Sequence, residues 1–315
     1  MQENVVALFK QVRLFSSVAA AIGILLSLIF SGLLQTSSMG WQVVVAVIAL
    51  AIGIPHGALD HLVTLPKSQP IRMAIFIVIY VAVAIVAVVG ILQFNTIGFI
   101  IVLFMSAIHF GIGDAAFISE IDRRTAPERK LNRWFYIPAA GFTPVFIPLV
   151  NSESTEALAS VNPDLIYWHQ GFDSQILFAV TTFALVAILV MILGKRNREA
   201  SDLTLLLLLA HLAPPLIAFA VYFGCWHAMR HTARLTLSLP RSVESLNQGM
   251  LKKAFSHAVI PGLPALIGTF VVAGIMALSG RDFSDDFFWM ALVVVWALTV
   301  PHMVVTAKLD RAALI

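Results

Sequence analysis

The stretch DLTLLLLLAHLAPPLIAFAVYFGCWHAMRHTARLTLSL fills residues 202–239. A helix needs about 20 apolar residues to cross a bilayer. This stretch is too long for one crossing, and Pro214 and Pro215 interrupt it. A proline removes a helical donor and pushes the residue before it out of the α region. The stretch therefore crosses twice, as a short helix over 202–213 and a return span over 215–239, or it does not cross at all. The charges on either side decide whether such a pair fits the chain.

The rest of the chain sets the context. Of its 315 residues 59% are hydrophobic and 12% charged, where soluble domains carry about 25% charged residues. The mean hydropathy is +0.92. The apolar runs do not alternate as barrel strands do. They predict helical spans near 14–34, 41–65, 71–92, 96–118, 134–150, 174–194, 255–279 and 286–307. The run 134–150 holds three prolines and is expected to kink or tilt. Val18–Leu34 is long enough to stay as an anchor rather than be cleaved.

Cytoplasmic loops are rich in Lys and Arg. With Lys10 and Arg13 inside, the loops 66–72, 119–133 and 195–201 are also inside, and all carry basic residues. The loops near 35–40, 93–95 and 151–173 carry no Lys or Arg. The basic loop 240–254 then belongs inside only if 202–239 makes the hinged pair. The expected fold is all-α: a polytopic membrane helical bundle of eight to ten crossings, one domain over 1–315. Residues 1–40 form an extra N-terminal span, and both termini face the cytoplasm of the cell (inner) membrane. Cys225 is the sole cysteine, which excludes an internal disulfide and a CxxC metal site. The net charge of +3 comes from loop residues with no basic stripe, so it reads as a topology signal and no nucleic-acid partner is expected.

Histidines recur inside the apolar runs, and ionisable groups in hydrocarbon mark functional sites. They are His56 and His61 in "AIGIPHGALDHL" (51–62), His109 in "SAIHFGIGD" (106–114), His211, His227 and His231 in "CWHAMRH" (225–231), and His302 in "TVPHM" (299–303). His227 and His231 are spaced i, i+4, so both rings leave one helix face. By the topology above, His56, His109 and the His227/His231 pair lie about 12–18 Å from the cytoplasmic edge, near the bilayer centre. His302 falls closer to that edge. Four imidazoles from three helices in one layer point to a metal site, for which Fe, Cu or Zn suits. Asp60 and Asp114 are expected to support ligand ring N–H groups, or else to pair with cations such as Arg230, Arg234 or Arg72. Gly57, Gly111 and Gly113 permit close backbone approach beside the histidines. His211 and His257 read as helix–helix hydrogen bonds, and His169 as an outer-loop residue.

"PHGALDH", "IHFGIGD", "CWHAMRH" and "TVPHM", in this order, resemble the Brp/Blh family of membrane β-carotene 15,15′-dioxygenases, from about residue 50 to 307. The resemblance implies central cleavage of β-carotene by O2 at non-haem Fe(II), giving two all-trans retinal molecules. It implies His56, His109, His227 and His231 as iron ligands, the quartet already grouped by depth. His302, Asp60 and Asp114 are then supporting residues. β-Carotene is about 30 Å long, comparable to the bilayer core, and would enter from the lipid. Phe110, Phe223, Trp226 and Met229 are candidate substrate contacts, with Phe99, Phe104 and Phe219 beside them. Other readings are a di-iron lipid desaturase, a transporter with His/Asp relays, a haem protein, and a carotenoid or retinal carrier. The missing HH pairs speak against the first, and the missing inverted repeat against the second.

Overall fold

Among the described residues three α-helical segments begin at a proline, Pro70, Pro215 and Pro240, where the missing N–H costs nothing and the ring presets φ. The computed structural model describes residues 1–30, 41, 42, 45, 46, 48, 49, 53, 57–64, 69–278 and 283–314. Among them all regular structure is helical. In chain order these are α1 (Gln2–Ile29), α2 (Asp60–Thr64), α3 (Pro70–Gln93), α4 (Asn95–Thr125), α5 (Arg133–Leu149), α6 (Ser152–Val161), α7 (Asp173–Leu193) and α8 (Asn197–Leu212). Then comes α9, over 215–235, built from an α segment Pro215–Ala220, a π-helical segment Val221–His227 and a second α segment Ala228–Leu235. Helices α10 (Pro240–Asn247), α11 (Leu251–Val259), α12 (Leu263–Leu278) and α13 (Phe283–Leu314) follow.

The chain breaks at the expected prolines. Helix α8 ends at Leu212 and α9 starts at Pro215. Among the described residues six helical stretches are long and apolar enough to cross a membrane: Gln2–Ile29, Pro70–Gln93, Asn95–Thr125, Asp173–Leu193, Leu251–Val272 and Trp289–Leu314. The chain is a membrane protein of α-helical build. The expected span 41–65 lies mostly outside the described residues.

Several boundaries move, each for a physical reason. The first helix starts at Gln2 rather than 14, because Val5, Leu8, Phe9 and Val12 form a buried stripe at helical spacing. Helix α4 continues seven residues past the expected 118, to Thr125. Glu120 pairs with Arg123 and Arg124 at i+3 and i+4, which extends a helix beyond its apolar part. The basic segment 240–254 is not an open loop but the helices α10 and α11, turned by Gly249 at φ +74. Helix α5 runs through Pro138, Pro144 and Pro148.

Helix α4 is the centre of the bundle, with Ala115, Ala116, Phe117 and Ile118 fully buried. It packs on α1, α3, α5, α9 and α13. Its contact with α5 is backbone on backbone. A Cβ on Gly111 would sit 2.0 Å from the Ile137 carbonyl oxygen, and one on Gly141 1.8 Å from that of Ala107. Helices α3 and α7 form the outer wall, and Ile71, Val78, Val86, Phe178 and Leu193 on them point outward as a lipid-facing surface would.

Candidate metal centre

Histidines from three helices meet beside α4. Ring centroids of His109 (α4) and His227 (α9) are 5.1 Å apart, those of His109 and His231 (α9) 6.3 Å, and those of His227 and His231 6.1 Å. His302 (α13) is 5.2 Å from His109 and 5.5 Å from His231. All four side chains are buried, none more than 6% exposed. The π-helical segment ends on His227, and the N–H of Ala228 reaches back to the Phe223 carbonyl. From there the helix is α-form, so His227 and His231 sit one turn apart on one face.

This donor set can be tested against a metal. With a metal–nitrogen bond of about 2.1 Å, two imidazoles on one ion hold their centroids about 4.5 Å apart at right angles and about 6.4 Å apart when opposite. All five measured separations fall in that window. Among the described residues no group of three or more His, Cys, Asp or Glu side chains is placed so that it could hold a metal ion; the rings meet the spacing requirement only as pairs. His56, the remaining expected ligand, lies outside the described residues. Its neighbour Gly57 is described, and a Cβ there would stand 3.4 Å from His302 Nδ1.

Hydrogen bonds set the tautomers. The Asp60 carboxylate can only accept, so His302 Nδ1 donates to it, at 3.0 and 2.9 Å. Tyr80 donates to the same carboxylate at 3.0 Å. The lone pair of His302 is therefore on Nε2. The Thr306 hydroxyl donates to the His302 carbonyl at 3.0 Å, so toward His109 Nδ1, 3.4 Å away, it accepts. His109 likewise keeps its lone pair on Nε2. Asp60 thus supports His302. His302 is not one of the four expected ligands, so replacing Asp60 with Asn should lower ferrous-iron affinity and turnover by at most about 10–100-fold, the effect of losing a group that orients a ligand directly. An unchanged iron affinity in metal titration of the purified variant would remove Asp60 from this role.

Asp114 behaves differently from the expectation that it supports a histidine. It accepts from Tyr136 at 2.6 Å, Trp226 at 3.3 Å and Arg230 at 2.7 Å. This is the cation-partner alternative. Trp226, an expected substrate contact, is correspondingly turned toward this ion pair. It is 1% exposed, and its face carries the Arg230 guanidinium 3.7 Å from the ring centroid. His211 bonds Thr181, and His257 bonds Ser245 and the Arg241 carbonyl, the helix–helix roles expected of them.

An apolar cavity of about 620 Å³ opens on the histidines. His109, His227 and His302 line it, with Phe99, Phe110, Phe219, Phe223 and Trp296. His61, Tyr80 and Asp60 reach it from the α2–α3 side. Of the expected contacts, Phe110 and Phe223 are on its wall and Met229 is not. Phe104 instead lines a separate groove with Phe142, Phe146 and Trp168.

The family model for β-carotene 15,15′-dioxygenase matches residues 45–310. The chain belongs to that family. A β-carotene 15,15′-dioxygenase from uncultured marine bacterium 66A03 is 27% identical over 266 residues, covering 80% of this chain and 88% of that protein. A probable β-carotene 15,15′-dioxygenase, Blh, of Halobacterium salinarum is 24% identical over 294 residues, covering 84% of this chain and 82% of that one. No solved structure matches the chain. The β-carotene 15,15′-dioxygenase match contains every histidine of the cluster and leaves α1 outside it.

Proposed function

We propose that this protein cleaves the central double bond of β-carotene with O2 and releases two molecules of all-trans retinal. The observation that carries the reading is a dry histidine cluster opening on an apolar cavity within a membrane-embedded bundle, in a chain of the β-carotene 15,15′-dioxygenase family. Fe(II) would be held by His109, His227 and His231, with His56 as fourth ligand. His302, set against His109 and His231 by Asp60, closes the cluster. When bound, iron supplies the capacity to engage and activate O2. Each half of the polyene takes one oxygen atom, so no external reductant is consumed.

The chain's own side chains do the rest. Phe99, Phe110, Phe219 and Phe223 offer ring faces and edges to a polyene and exclude water. Tyr80 and Asp60 hold the His302 tautomer. The substrate reaches the cavity from the bilayer without an aqueous step. We place the protein in the cell (inner) membrane with both termini cytoplasmic and eight to ten crossings. Supporting that count, α5, α8 and the composite α9 are further helices packed among the six long ones. Supporting the orientation, the basic residues cluster on alternate connections.

The test is expression in β-carotene-producing cells. Loss of orange colour with accumulation of retinal, together with stoichiometric iron in the purified protein, is expected. Pigment that binds the purified protein and survives intact in aerated cells would make it a carotenoid carrier. A Soret band would make it a haem protein.

A further inference from the structure

Helix α1 lies outside the family match, yet it is wired to the helix that carries two of the histidines. The Asp202 carboxylate on α8 is shared by two guanidiniums. Arg13 of α1 donates Nε to it at 3.0 Å, and Arg230 of α9 donates Nη1 at 3.2 Å. Arg13 also bonds Glu199 at 2.9 Å. Arg230 is 1% exposed and is the only residue of α9 among the described residues that bridges two carboxylates, Asp114 and Asp202. It stands between His227 and His231 in the chain. Packing repeats the connection. Phe9 of α1 stacks on Phe117 at 5.0 Å, and the Arg230 guanidinium lies 5.2 Å from the Phe117 centroid. A Cβ on Gly23 would sit 3.3 Å from Val221, the first residue of the π-helical segment.

We propose that Arg13 is a positioning residue of the metal centre: by compensating Asp202 it keeps Arg230 on Asp114 and so fixes the rotation of α9 at His227 and His231. The physical argument is one of competition. In a dry interior an uncompensated carboxylate is costly and draws the nearest cation to itself. Without Arg13, Asp202 pulls Arg230 away from Asp114, and the turn carrying both histidines follows. Arg13 is not on the cavity wall, so the effect reaches the histidines through Arg230. The inference rests on the reading that His227 and His231 hold iron.

The experiment uses the full-length, detergent-solubilised protein and the variants Arg13→Gln, Arg13→Lys, Asp202→Asn, Arg13→Gln/Asp202→Asn and His227→Ala. Metal-free samples are titrated anaerobically with ferrous iron; kcat, KM for β-carotene and thermal unfolding are measured beside it. R13Q should bind iron about tenfold more weakly, at the lower end for groups that orient ligands. Its kcat should fall while KM stays within about twofold, since no substrate contact is lost. R13K should recover most of the iron affinity. The double variant should bind iron better than R13Q, because the stranded anion leaves with its cation. Iron affinity and kcat of R13Q at the wild-type level would overturn the proposal. So would a double variant that loses the sum of the two single losses, which is what plain packing by α1 produces. If R13Q does not accumulate as folded protein, R13K and the double variant decide: iron-poor but folded samples of both refute the mechanism. His227→Ala separates the two readings. Iron retained there refutes the metal centre itself, whereas iron lost there with R13Q unaffected refutes only the role of Arg13.

Discussion

Alanine at position 109 should abolish iron binding and retinal formation together, at unchanged membrane insertion. The His109 ring, like that of His231, neighbours the three other rings of the cluster, at 5.1, 6.3 and 5.2 Å. It is carried by the most central helix, and its Nδ1 is committed to Thr306. In the proposed centre its Nε2 is the donor nitrogen, in a place where no water-exposed group can substitute for it. The loss should exceed the 10–100-fold expected of supporting residues such as Asp60. Iron content by metal analysis and retinal by chromatography, on the same purified sample, provide the check. The fold should survive: the ring is replaced by a small apolar side chain beside an existing cavity, and the Gly111 and Gly141 contacts that seat α4 on α5 are untouched. Stoichiometric iron with full activity would remove His109 from the centre.

How much of this was readable beforehand depends on the range of the interaction. The i, i+4 pair of His227 and His231 is local, and counting residues from basic loops placed His109 in the same layer. The ring distances agree with that layer. The helix that carries His302 continues past the expected 307 to Leu314, and its buried Asp310 pairs with Arg234 of α9. Asp114 could have been read better. Five residues at about 100° each turn it about 140° around the helix from His109, toward another wall. Trp226 is likewise about 100° from His227 and faces Arg230 rather than the cavity. The bond from Asp60 to His302 joins residues 242 positions apart, and the Arg13–Asp202 bond spans 189. No periodicity reports such pairs. What the sequence does offer is the bare presence of Asp114, Asp202 and Arg230 within or bordering apolar helices, a cost that only partners could offset.

That cost makes Arg230 a sensitive structural position. Methionine there should destabilise the protein by about 3–5 kcal/mol, the range for removing one partner of a buried ion pair. Methionine is close to arginine in volume, so little of the effect comes from a cavity, while the guanidinium's contact with Trp226 and Phe117 is lost with the charge. Most of the effect comes from the carboxylates. Asp202 retains Arg13, but Asp114 is left with the neutral donors Tyr136 and Trp226. Removing the charge as well, in Arg230→Met/Asp114→Asn, should return a large part of the stability, because neutral, hydrogen-bonded replacements of both partners carry little desolvation penalty. Unfolding of the detergent-solubilised variants, followed by heat or denaturant, measures both values. A single variant as stable as wild type would mean that the Arg230–Asp114 pair contributes nothing. A double variant worse than the single would mean that Asp114 matters through Tyr136 and Trp226 instead. The recovery also bears on iron. The double variant is stable yet lacks the tie between α4 and α9, so His109 loses its fixed relation to His227 and iron affinity should stay reduced where stability returns.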